Sequence, residues 1–238
     1  MPEGRAIAIG DVHGCLPALR ALLAVVEPRP QDTIVTLGDY VDRGSQSRGV
    51  LDEMIALAER CRLIPLLGNH DEMLLEICRG SHELYNEWLL FGGHATVASY
   101  GRVPEDVPAE HLDFLKSCLL FHESREHFFV HGNYEADLPL QQQTREVLLW
   151  EPLRLRRPGP HCCGKTAIVG HTSQKEGEVL DLGYLKCIDT FCYGSGWLTA
   201  MEVETGRLWQ ADKAGRMREP LPGPRGQSHF RGERPSSK

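Results

Sequence analysis

Three short segments of the sequence combine glycine with side chains that bind cations or transfer protons. The segments are Gly10-Asp11-Val12-His13-Gly14, Gly38-Asp39-Tyr40-Val41-Asp42-Arg43-Gly44 and Gly68-Asn69-His70-Asp71. Two further histidines, His131 and His171, stand beside glycines at the ends of apolar runs. Carboxylate, imidazole and amide groups together favour manganese, iron or zinc over calcium, and no thiolate belongs to the set. The residue types therefore predict a site for divalent metal ions.

The spacing of these residues predicts two cations rather than one. Asp11 and His13 are two residues apart, so in an extended segment their side chains emerge on the same side and can bind one ion. The carboxylate of Asp39 can bridge that ion to a second. The second ion would be completed by an amide and two neutral imidazoles, from Asn69, His131 and His171. Two such ions, about 3.5 to 4 Å apart, can hold a phosphoryl oxygen and activate a bridging water for direct attack on phosphorus, so no covalent enzyme intermediate is needed.

The neighbours of these ligands predict the rest of a phosphoester hydrolase site. His70 adjoins Asn69 and is placed to protonate a leaving alkoxide. Asp42 can orient the His70 imidazole, and the planar guanidinium of Arg43 suits the non-bridging oxygens of a phosphate. Tyr193, in a late Cys-Tyr-Gly segment, is expected to line the substrate site. We therefore predict the hydrolysis of phosphate monoesters.

Three apolar runs precede these segments and predict parallel strands. The runs cover residues 6–9, 33–37 and 63–67, each is followed by a glycine, and a helical pattern comes next. Repeated strand, loop and helix predict an α/β fold, in which ligands bind at the carboxyl ends of the strands. From residue 83 to about 118 the pattern is helical and broken by glycines, which predicts a helical cap.

The second half of the chain favours mixed or antiparallel sheet. Its strand-like runs cover residues 128–130, 167–169, 185–188 and 197–201. We assign residues 1–212 to one domain. Residues 213–238 are rich in Gly, Pro, Ser and Arg, and we predict that they form a basic, disordered tail.

Charge and composition narrow the class of protein. With 41% hydrophobic and 25% charged residues, the 238-residue chain has the composition of a globular domain. Its net charge is −7, but residues 1–212 carry 19 Lys/Arg against 31 Asp/Glu, a net charge of −12. An acidic body of this kind argues against a broad nucleic-acid surface.

The sequence carries no signal for membrane insertion or export. No apolar stretch approaches the roughly 20 residues that span a bilayer, and no leader pattern opens the chain. The eight cysteines are scattered without a Cys-x-x-Cys pair, which favours reduced thiols. We expect a cytoplasmic protein with no membrane or nucleic-acid partner, in which Cys15 is a buried structural thiol.

In this order, the five blocks around the metal-capable residues resemble the phosphoprotein phosphatase type of calcineurin-like metallophosphoesterases, especially the bacterial and phage-type serine/threonine phosphatases. The resemblance covers about residues 5–212. It implies a β-sandwich of mixed sheets flanked by helices, with a helical cap, that dephosphorylates phosphoproteins or phosphopeptides with two divalent ions, manganese foremost. It also implies a role for each matched residue: Asp11, His13 and Asp39 on one metal; Asp39, Asn69, His131 and His171 on the other; His70 with Asp42 as the general-acid pair; Arg43 on phosphate.

Two features bear on the substrate. The family commonly has a second phosphate-binding arginine two residues after a tryptophan, whereas Trp150 is followed by Glu151 and Pro152, with Arg154 the nearest arginine. Either Arg154 or its neighbours at 156 and 157 take that role, or Arg43 and the metals act alone. The Asp-Arg-Gly ending of the second segment resembles protein phosphatases more than symmetrical dinucleoside-tetraphosphate hydrolases, which are the alternative.

The sequence also contains a pattern that is typical of P-loop nucleotide-binding proteins. Residues 159–166 satisfy the pattern of a P-loop, glycine followed by any four residues and Gly-Lys-Thr. A P-loop requires a strand before it and a helix after it, but here the β-branched residues Ile168 and Val169 follow. We therefore disfavour nucleotide binding through this segment.

Overall fold

Two β-sheets packed face to face form the centre of the fold. The computed structural model describes residues 4–219. The strands in this range are β1 (Ala6–Ile9), β2 (Thr33–Thr36), β3 (Arg62–Pro65), β4 (Phe121–Glu123), β5 (His127–Val130), β6 (Thr166–Val169), β7 (Leu180–Asp181), β8 (Leu185–Cys187), β9 (Asp189–Thr190), β10 (Trp197–Glu202) and β11 (Leu208–Ala211).

Both sheets are mixed, which confirms the predicted fold class. The first has the order β11-β10-β1-β2-β3, and β9 also pairs with β10. Within it β1, β2 and β3 are parallel, whereas β10 is antiparallel to β1. The second has the order β4-β5-β6-β8-β7, in which β5, β6 and β8 are parallel. The segments that follow β1, β2 and β3 therefore leave the first sheet at one edge, as do those that follow β5 and β6 in the second.

Helices cover the outer face of the first sheet. They are α1 (Leu16–Val26), α2 (Ser47–Ala58), α3 (Asn69–Cys78), α4 (Tyr85–Trp88), α5 (His94–Tyr100) and α6 (Ala109–Ser117), and α7 (Arg145–Trp150) follows β5. A π-helical turn at Leu89–Gly93 connects α4 to α5. Helix α5 packs on α2, and α6 packs on α2 and α3. We call residues 82–117 the helical segment; it occupies the stretch where the sequence predicts a cap.

Alternation of side chains along the strands divides the core into layers. Ile7 and Ile9 of β1 face the helices, whereas Ala8 between them faces the second sheet. On β5, Phe129 faces the first sheet and Phe128 faces the opposite side. All five side chains are almost completely buried. Both faces of these central strands are therefore packed, which holds the strand ends in place.

Four strands have no counterpart in the sequence prediction: β4, β7, β9 and β11. Three of them have only two or three residues, and β4, β7 and β11 lie at sheet edges. An edge strand is partly solvated, so its sequence has a weaker apolar pattern than that of a central strand. The prediction therefore found the central strands and the edge strand β3, and it missed the other edge strands and the two-residue β9.

The basic tail is predicted to begin at residue 213, and the structure describes its first seven residues. Met217 forms a β-bridge with Ala211. Arg218 forms an ion pair with Glu178 and donates a 2.8 Å hydrogen bond to Gln210. Residues 213–219 thus pair with the domain, and the disorder of the tail stays a prediction because residues 220–238 lie outside the described range. Among the described helices, none is long and apolar enough to cross a membrane.

Candidate metal centre

The predicted ligands meet at the carboxyl ends of the strands. Asp11 and His13 follow β1, Asp39 follows β2, and Asn69 is the first residue of α3, just after β3. The second sheet contributes its ligands from the segments after β5 and β6, namely His131 and His171. Because parallel strands end at a common edge, residues more than a hundred positions apart come together there.

Asp39 lies at the middle of this assembly. Its Oδ2 is 3.3 Å from Nε2 of His13, and its Oδ1 is 3.5 Å from Nε2 of His131. Two groups of ligand atoms share this carboxylate, and within each group all the atoms lie within 4.8 Å of one another. The first group is His13, Asp39 and His70, and the second is Asp39, His131 and His171.

Hydrogen bonds from outside the two groups determine which imidazole nitrogen is available. Nδ1 of His13 is 2.9 Å from the carbonyl oxygen of Val41, and Nδ1 of His131 is 2.7 Å from that of Leu37. A carbonyl oxygen can only accept, so Nδ1 carries the proton in both rings and Nε2 keeps a lone pair. In His171 the arrangement is reversed, because Nε2 lies 3.2 Å from the carbonyl oxygen of Trp150.

These lone pairs point at other acceptors. Oδ1 of Asn69 lies 3.0 Å from Nε2 of His131 and 3.0 Å from Nδ1 of His171, and in these tautomers neither nitrogen carries a proton to share. Nearby, Oδ1 of Asp11 is buried and has no hydrogen-bond partner in the described range. Buried acceptors that face one another are unfavourable unless a cation lies between them. The residues present therefore fit divalent metal ions.

Asp11 is the predicted ligand whose position differs most from expectation. Its Oδ2 accepts a 2.9 Å hydrogen bond from the backbone N–H of His171, and the carboxylate is not in the first group, where His70 stands instead. Burial raises the pKa of Asp11 well above its usual value, and the neighbouring carboxylates of Asp189 and Asp39 add to this. Asp189, which the sequence prediction missed, is therefore part of a buried anionic cluster that a cation would stabilise.

The protonation states also suit metal binding. Burial lowers the pKa of His13 well below its usual value and lowers the pKa of His171 to about 3. Burial alone would raise the pKa of Asp39, but the imidazoles of four histidines outweigh it and hold that pKa below its usual range. Neutral imidazoles and an ionised carboxylate are the forms that coordinate cations.

Backbone strain is concentrated at this site. His13, Asp39, Asp42, Arg43 and His171 all have positive φ, between 44° and 70°. Non-glycine residues adopt this left-handed conformation at an energetic cost, and such residues cluster at functional sites. The left-handed backbone conformation directs these side chains into the site.

Two glycines allow the acidic ligands to approach the backbone closely. A Cβ atom at Gly68 would lie 2.1 Å from Oδ1 of Asp39, and one at Gly170 would lie 2.2 Å from Oδ1 of Asp11. Neither distance is possible for a real side chain. These glycines are required because the carboxylates occupy the space of their missing side chains.

His70, a member of the first group, forms a hydrogen-bonded pair with Asp42. Nδ1 of His70 is 2.7 Å from Oδ2 of Asp42, whose side chain is fully buried. Two residues of the helical segment complete the carboxylate's partners: Nε1 of Trp88 donates to Oδ2 at 2.8 Å, and Oγ1 of Thr96 donates to Oδ1 at 2.7 Å. The sequence prediction missed Trp88 and Thr96, because no local pattern links them to a residue some 50 positions earlier.

Arg43 and Tyr193 lie together on the open side of this pair. An NH2 group of Arg43 donates to Nε2 of His70 at 3.0 Å, and NH1 donates to the hydroxyl of Tyr193. The guanidinium carbon also stands 4.3 Å above the Tyr193 ring, and that ring contacts His13 edge-on. Both residues therefore lie beside the metal-ligand groups, and their roles in substrate binding stay predictions.

Arg154 lies beside the ligands rather than among them. Its exposed side chain lines a groove with Thr172, the residue after His171. The guanidinium of the neighbouring Arg156 is already paired with the carboxylate of Glu151, through two hydrogen bonds of 2.5 and 2.8 Å.

The P-loop pattern has another structural role. Lys165 donates to Oε1 of Glu123 at 2.5 Å and to the carbonyl oxygen of Ser124 at 2.6 Å. The chain then enters β6 directly, with no helix. This geometry excludes a phosphate-binding loop. Cys15, by contrast, is buried as predicted.

A two-sheet α/β sandwich whose strand ends bring together two metal-ligand groups with a shared carboxylate defines a metallophosphoesterase. The model of the calcineurin-like phosphoesterase family matches residues 4–177. The chain belongs to that family, which confirms the predicted resemblance.

Similar proteins have different substrates. The chain is 32% identical to the symmetrical bis(5'-nucleosyl)-tetraphosphatase of Janthinobacterium sp. (strain Marseille) over 64% of its own length and 51% of that relative. It is 27% identical to serine/threonine-protein phosphatase 1 of Salmonella typhimurium over 82% of its own length and 90% of that relative. The chain thus spans about half the length of the first relative and about a quarter of other tetraphosphatases.

A solved structure shares the fold. The cold-active protein-tyrosine phosphatase of a psychrophilic Shewanella sp. superposes with a TM-score of 0.59 and 20% identity, over 92% of this chain and 82% of that one. At this level of identity the likeness concerns the fold alone, so the substrate has to be argued from the site.

Proposed function

We propose that this metallophosphoesterase is a phosphomonoesterase that removes phosphate from phosphoserine and phosphothreonine in proteins. The observation that carries the proposal is the buried pair in which Nδ1 of His70 lies 2.7 Å from Asp42, while the same imidazole lies beside His13 and Asp39. Two kinds of leaving group distinguish the candidate substrates. A serine or threonine alkoxide needs a proton as it leaves, whereas a nucleotide leaves as a phosphate that is stable as an anion. A positioned general acid therefore favours the alkoxide.

His70 and Asp42 divide the work of proton transfer. Asp42 accepts a hydrogen bond from Nδ1–H, fixes the plane of the ring and stabilises the imidazolium form. Nε2 then carries the proton for the leaving oxygen. Because Arg43 donates to Nε2 in this structure, its guanidinium must turn towards the phosphate before Nε2 can act.

Arg43 supplies phosphate recognition. Its planar guanidinium can donate two parallel hydrogen bonds to non-bridging oxygens. The ring of Tyr193 beneath the guanidinium holds it in place and shields it from water. The substrate phosphate is thus oriented between Arg43 and the metal-ligand groups.

Two divalent cations complete the proposal, with manganese as the expected metal and iron or zinc as alternatives. Asp39 would be a ligand of both. His13, with Asp11 beside that group, would hold the first, and Asn69, His131 and His171 would hold the second. When bound, the cations would supply Lewis acidity and a water of lowered pKa for the hydrolysis. Mixed nitrogen and oxygen ligands suit these metals better than calcium or magnesium.

The alternative is hydrolysis of dinucleoside tetraphosphates. Its support is the 32% identity to a symmetrical tetraphosphatase. Against it stands the longer match to a serine/threonine phosphatase, which covers 90% of that relative.

A direct comparison of substrates tests the proposal. Purified protein is stripped with a chelator, supplied with Mn²⁺, and assayed on a phosphoserine peptide, a phosphothreonine peptide and diadenosine tetraphosphate. We expect Mn²⁺ to restore hydrolysis, with a higher kcat/KM for the peptides. Unchanged activity in chelator contradicts metal dependence, and a higher kcat/KM for the tetraphosphate supports the alternative.

A further inference from the structure

A groove lined by three cationic side chains begins beside the metal centre. Arg154, Arg157 and Lys175 line it, together with Thr172 and Ser173. All three cations are exposed, and within residues 4–219 none has a carboxylate oxygen within 4.0 Å. The described lining of the groove includes no acidic residue. The groove therefore gathers three unpaired cations in a body whose net charge is −12 over residues 1–212.

The backbone that carries two of these cations is firmly held. Arg156, between Arg154 and Arg157, donates from Nε and NH2 to Glu151 and from NH1 to the carbonyl oxygen of Tyr134 at 3.1 Å. Its own carbonyl oxygen accepts a 2.8 Å hydrogen bond from the side chain of Asn133. A ligand that binds in the groove therefore meets a backbone that is already ordered, which lowers the entropic cost of binding.

The groove is continuous with the catalytic side chains. Thr172 directly follows the ligand His171, and its Oγ1 accepts a 2.8 Å hydrogen bond from the backbone N–H of Leu153, which ties the two walls together. Ser173, the next residue, donates a 2.7 Å hydrogen bond to Oδ2 of Asp189, which belongs to the buried anionic cluster around Asp11. A substrate that places its phosphate on Arg43 therefore extends directly into the groove.

We propose that this cationic groove, formed by Arg154, Arg157 and Lys175, binds acidic side chains that flank the phosphorylated residue of a protein substrate. The inference rests on the proposed function and names the class of its substrates. Arg43 and the metal centre serve the scissile phosphate, so the groove is free for a second anion. An extended peptide advances about 3.3 Å per residue, so a carboxylate two or three positions from the phosphoresidue comes within reach.

The lining distinguishes a peptide from a nucleotide. The described apolar residues of the groove are Leu153 and Leu180, and its lining has no aromatic ring on which a base could stack. A dinucleotide would find partners for its phosphates and none for its bases. The carboxylates of an acidic peptide need only the cations and the hydroxyl group of Thr172.

Matched phosphopeptides test this inference. One series carries Glu residues on either side of phosphoserine, the other carries Gln at the same positions, and the readout is the ratio of their kcat/KM values. We expect the wild type to favour the acidic series by about tenfold, because several exposed ion pairs each contribute roughly 0.2 to 1 kcal/mol. The variant Arg154→Gln/Arg157→Gln/Lys175→Gln should reduce the ratio to about one, and 0.5 M salt should weaken the wild-type preference.

A matched control is Arg125→Gln, since the Arg125 side chain is 94% exposed and lies outside the groove. It should leave the ratio unchanged. The ratio compares two substrates on one enzyme, so partial loss of folded protein does not alter it.

Three results overturn the inference. If the wild type has the same kcat/KM for both series, the groove does not bind the acidic side chains of the substrate. The proposed function is unaffected by that result. An equal loss of preference in Arg125→Gln shows a general effect of charge. Hydrolysis of diadenosine tetraphosphate with no turnover of any phosphopeptide overturns the proposed function as well, so the two failures are distinguishable.

Discussion

Trp88 and His70 share one carboxylate oxygen. Nε1 of Trp88 donates to Oδ2 of Asp42 at 2.8 Å, and Nδ1 of His70 lies 2.7 Å from the same atom. Trp88 is completely buried, and it comes from the helical segment rather than from a strand end. The helical segment therefore orients the Asp42 carboxylate, and through it the imidazole, in addition to covering α2 and α3.

Trp88→Phe tests this positioning role. The substitution keeps most of the buried volume and removes one hydrogen bond to a charged acceptor, which is worth about 1.5 to 3 kcal/mol. We expect kcat for a phosphoserine peptide to fall by roughly 10- to 100-fold, with an unchanged metal content. Steady-state kinetics and metal analysis of the purified variant measure both.

Trp209→Phe is the matched control. Trp209 is also buried, but its Nε1 has no hydrogen-bond partner in the described part of the chain, so the substitution removes no hydrogen bond. Equal losses of kcat in the two variants would mean that Trp88 acts through packing alone.

His70→Asn tests the general acid. We expect kcat/KM for a phosphoserine peptide to fall by about 10² to 10⁴, because the alkoxide then leaves without a proton. The loss should be much smaller for p-nitrophenyl phosphate, whose leaving group is stable as an anion. The comparison of the two substrates measures proton transfer apart from metal binding.

The metal content of His70→Asn decides between two positions for this imidazole. His70 stands within 4.8 Å of the ligand atoms of His13 and Asp39, where a ligand could also stand. Full occupancy by two metals supports the acid role. Loss of one metal, with equal damage to both substrates, contradicts it.

Asp39→Asn tests the shared carboxylate. Asp39 belongs to both ligand groups, so we expect the variant to lose most of its bound Mn²⁺ and at least about 10³ in kcat/KM. The wild type should unfold at a higher temperature in Mn²⁺ than in chelator, since a ligand at 100 times its Kd stabilises by about 2.7 kcal/mol. That difference should shrink in Asp39→Asn and persist in Asp113→Asn, a control at a side chain that is 71% exposed.

Asp32→Asn tests a contact that aligns the first two strands. Asp32 precedes β2, and its carboxylate accepts from the backbone N–H and the guanidinium of Arg5, which precedes β1, and from the backbone N–H of Arg29. Burial by itself would raise the pKa of Asp32, but these hydrogen bonds outweigh burial and hold the pKa below the usual value of 3.8. We expect the variant to be less stable at pH 7 by roughly 1 to 3 kcal/mol.

The pH dependence follows from the direction of that shift. A carboxylate whose pKa is lower in the folded state stabilises the fold above its unfolded pKa and loses this contribution as the pH falls through the folded pKa. The difference in unfolding free energy between the wild type and Asp32→Asn should therefore be full at pH 6 and shrink below about pH 4. Denaturant unfolding at a series of pH values measures it, and a difference that stays constant down to pH 3 would contradict the assignment.

Much of the metal centre could be predicted because its residues lie in short sequence segments with recognisable neighbours. Asp11 with His13, and Asp42 with Arg43, lie in short segments that follow strong apolar runs, and a glycine marks each turn. Residues of this kind are recognisable wherever a parallel strand ends. Arg154 was predicted from its distance to Trp150 along the chain, which does not determine where an exposed side chain points.

The amino-acid sequence by itself determined the types of ligand, the order of the strands that carry them and the membership of the family, because strand patterns and glycine turns depend on neighbouring residues. Only the tertiary structure decided that Trp88 and Thr96 hold Asp42 and that the cations at 154, 157 and 175 line one groove. These side chains are close in space but far apart in the sequence. Periodic sequence patterns relate only residues that are a few positions apart, so they cannot reveal such contacts.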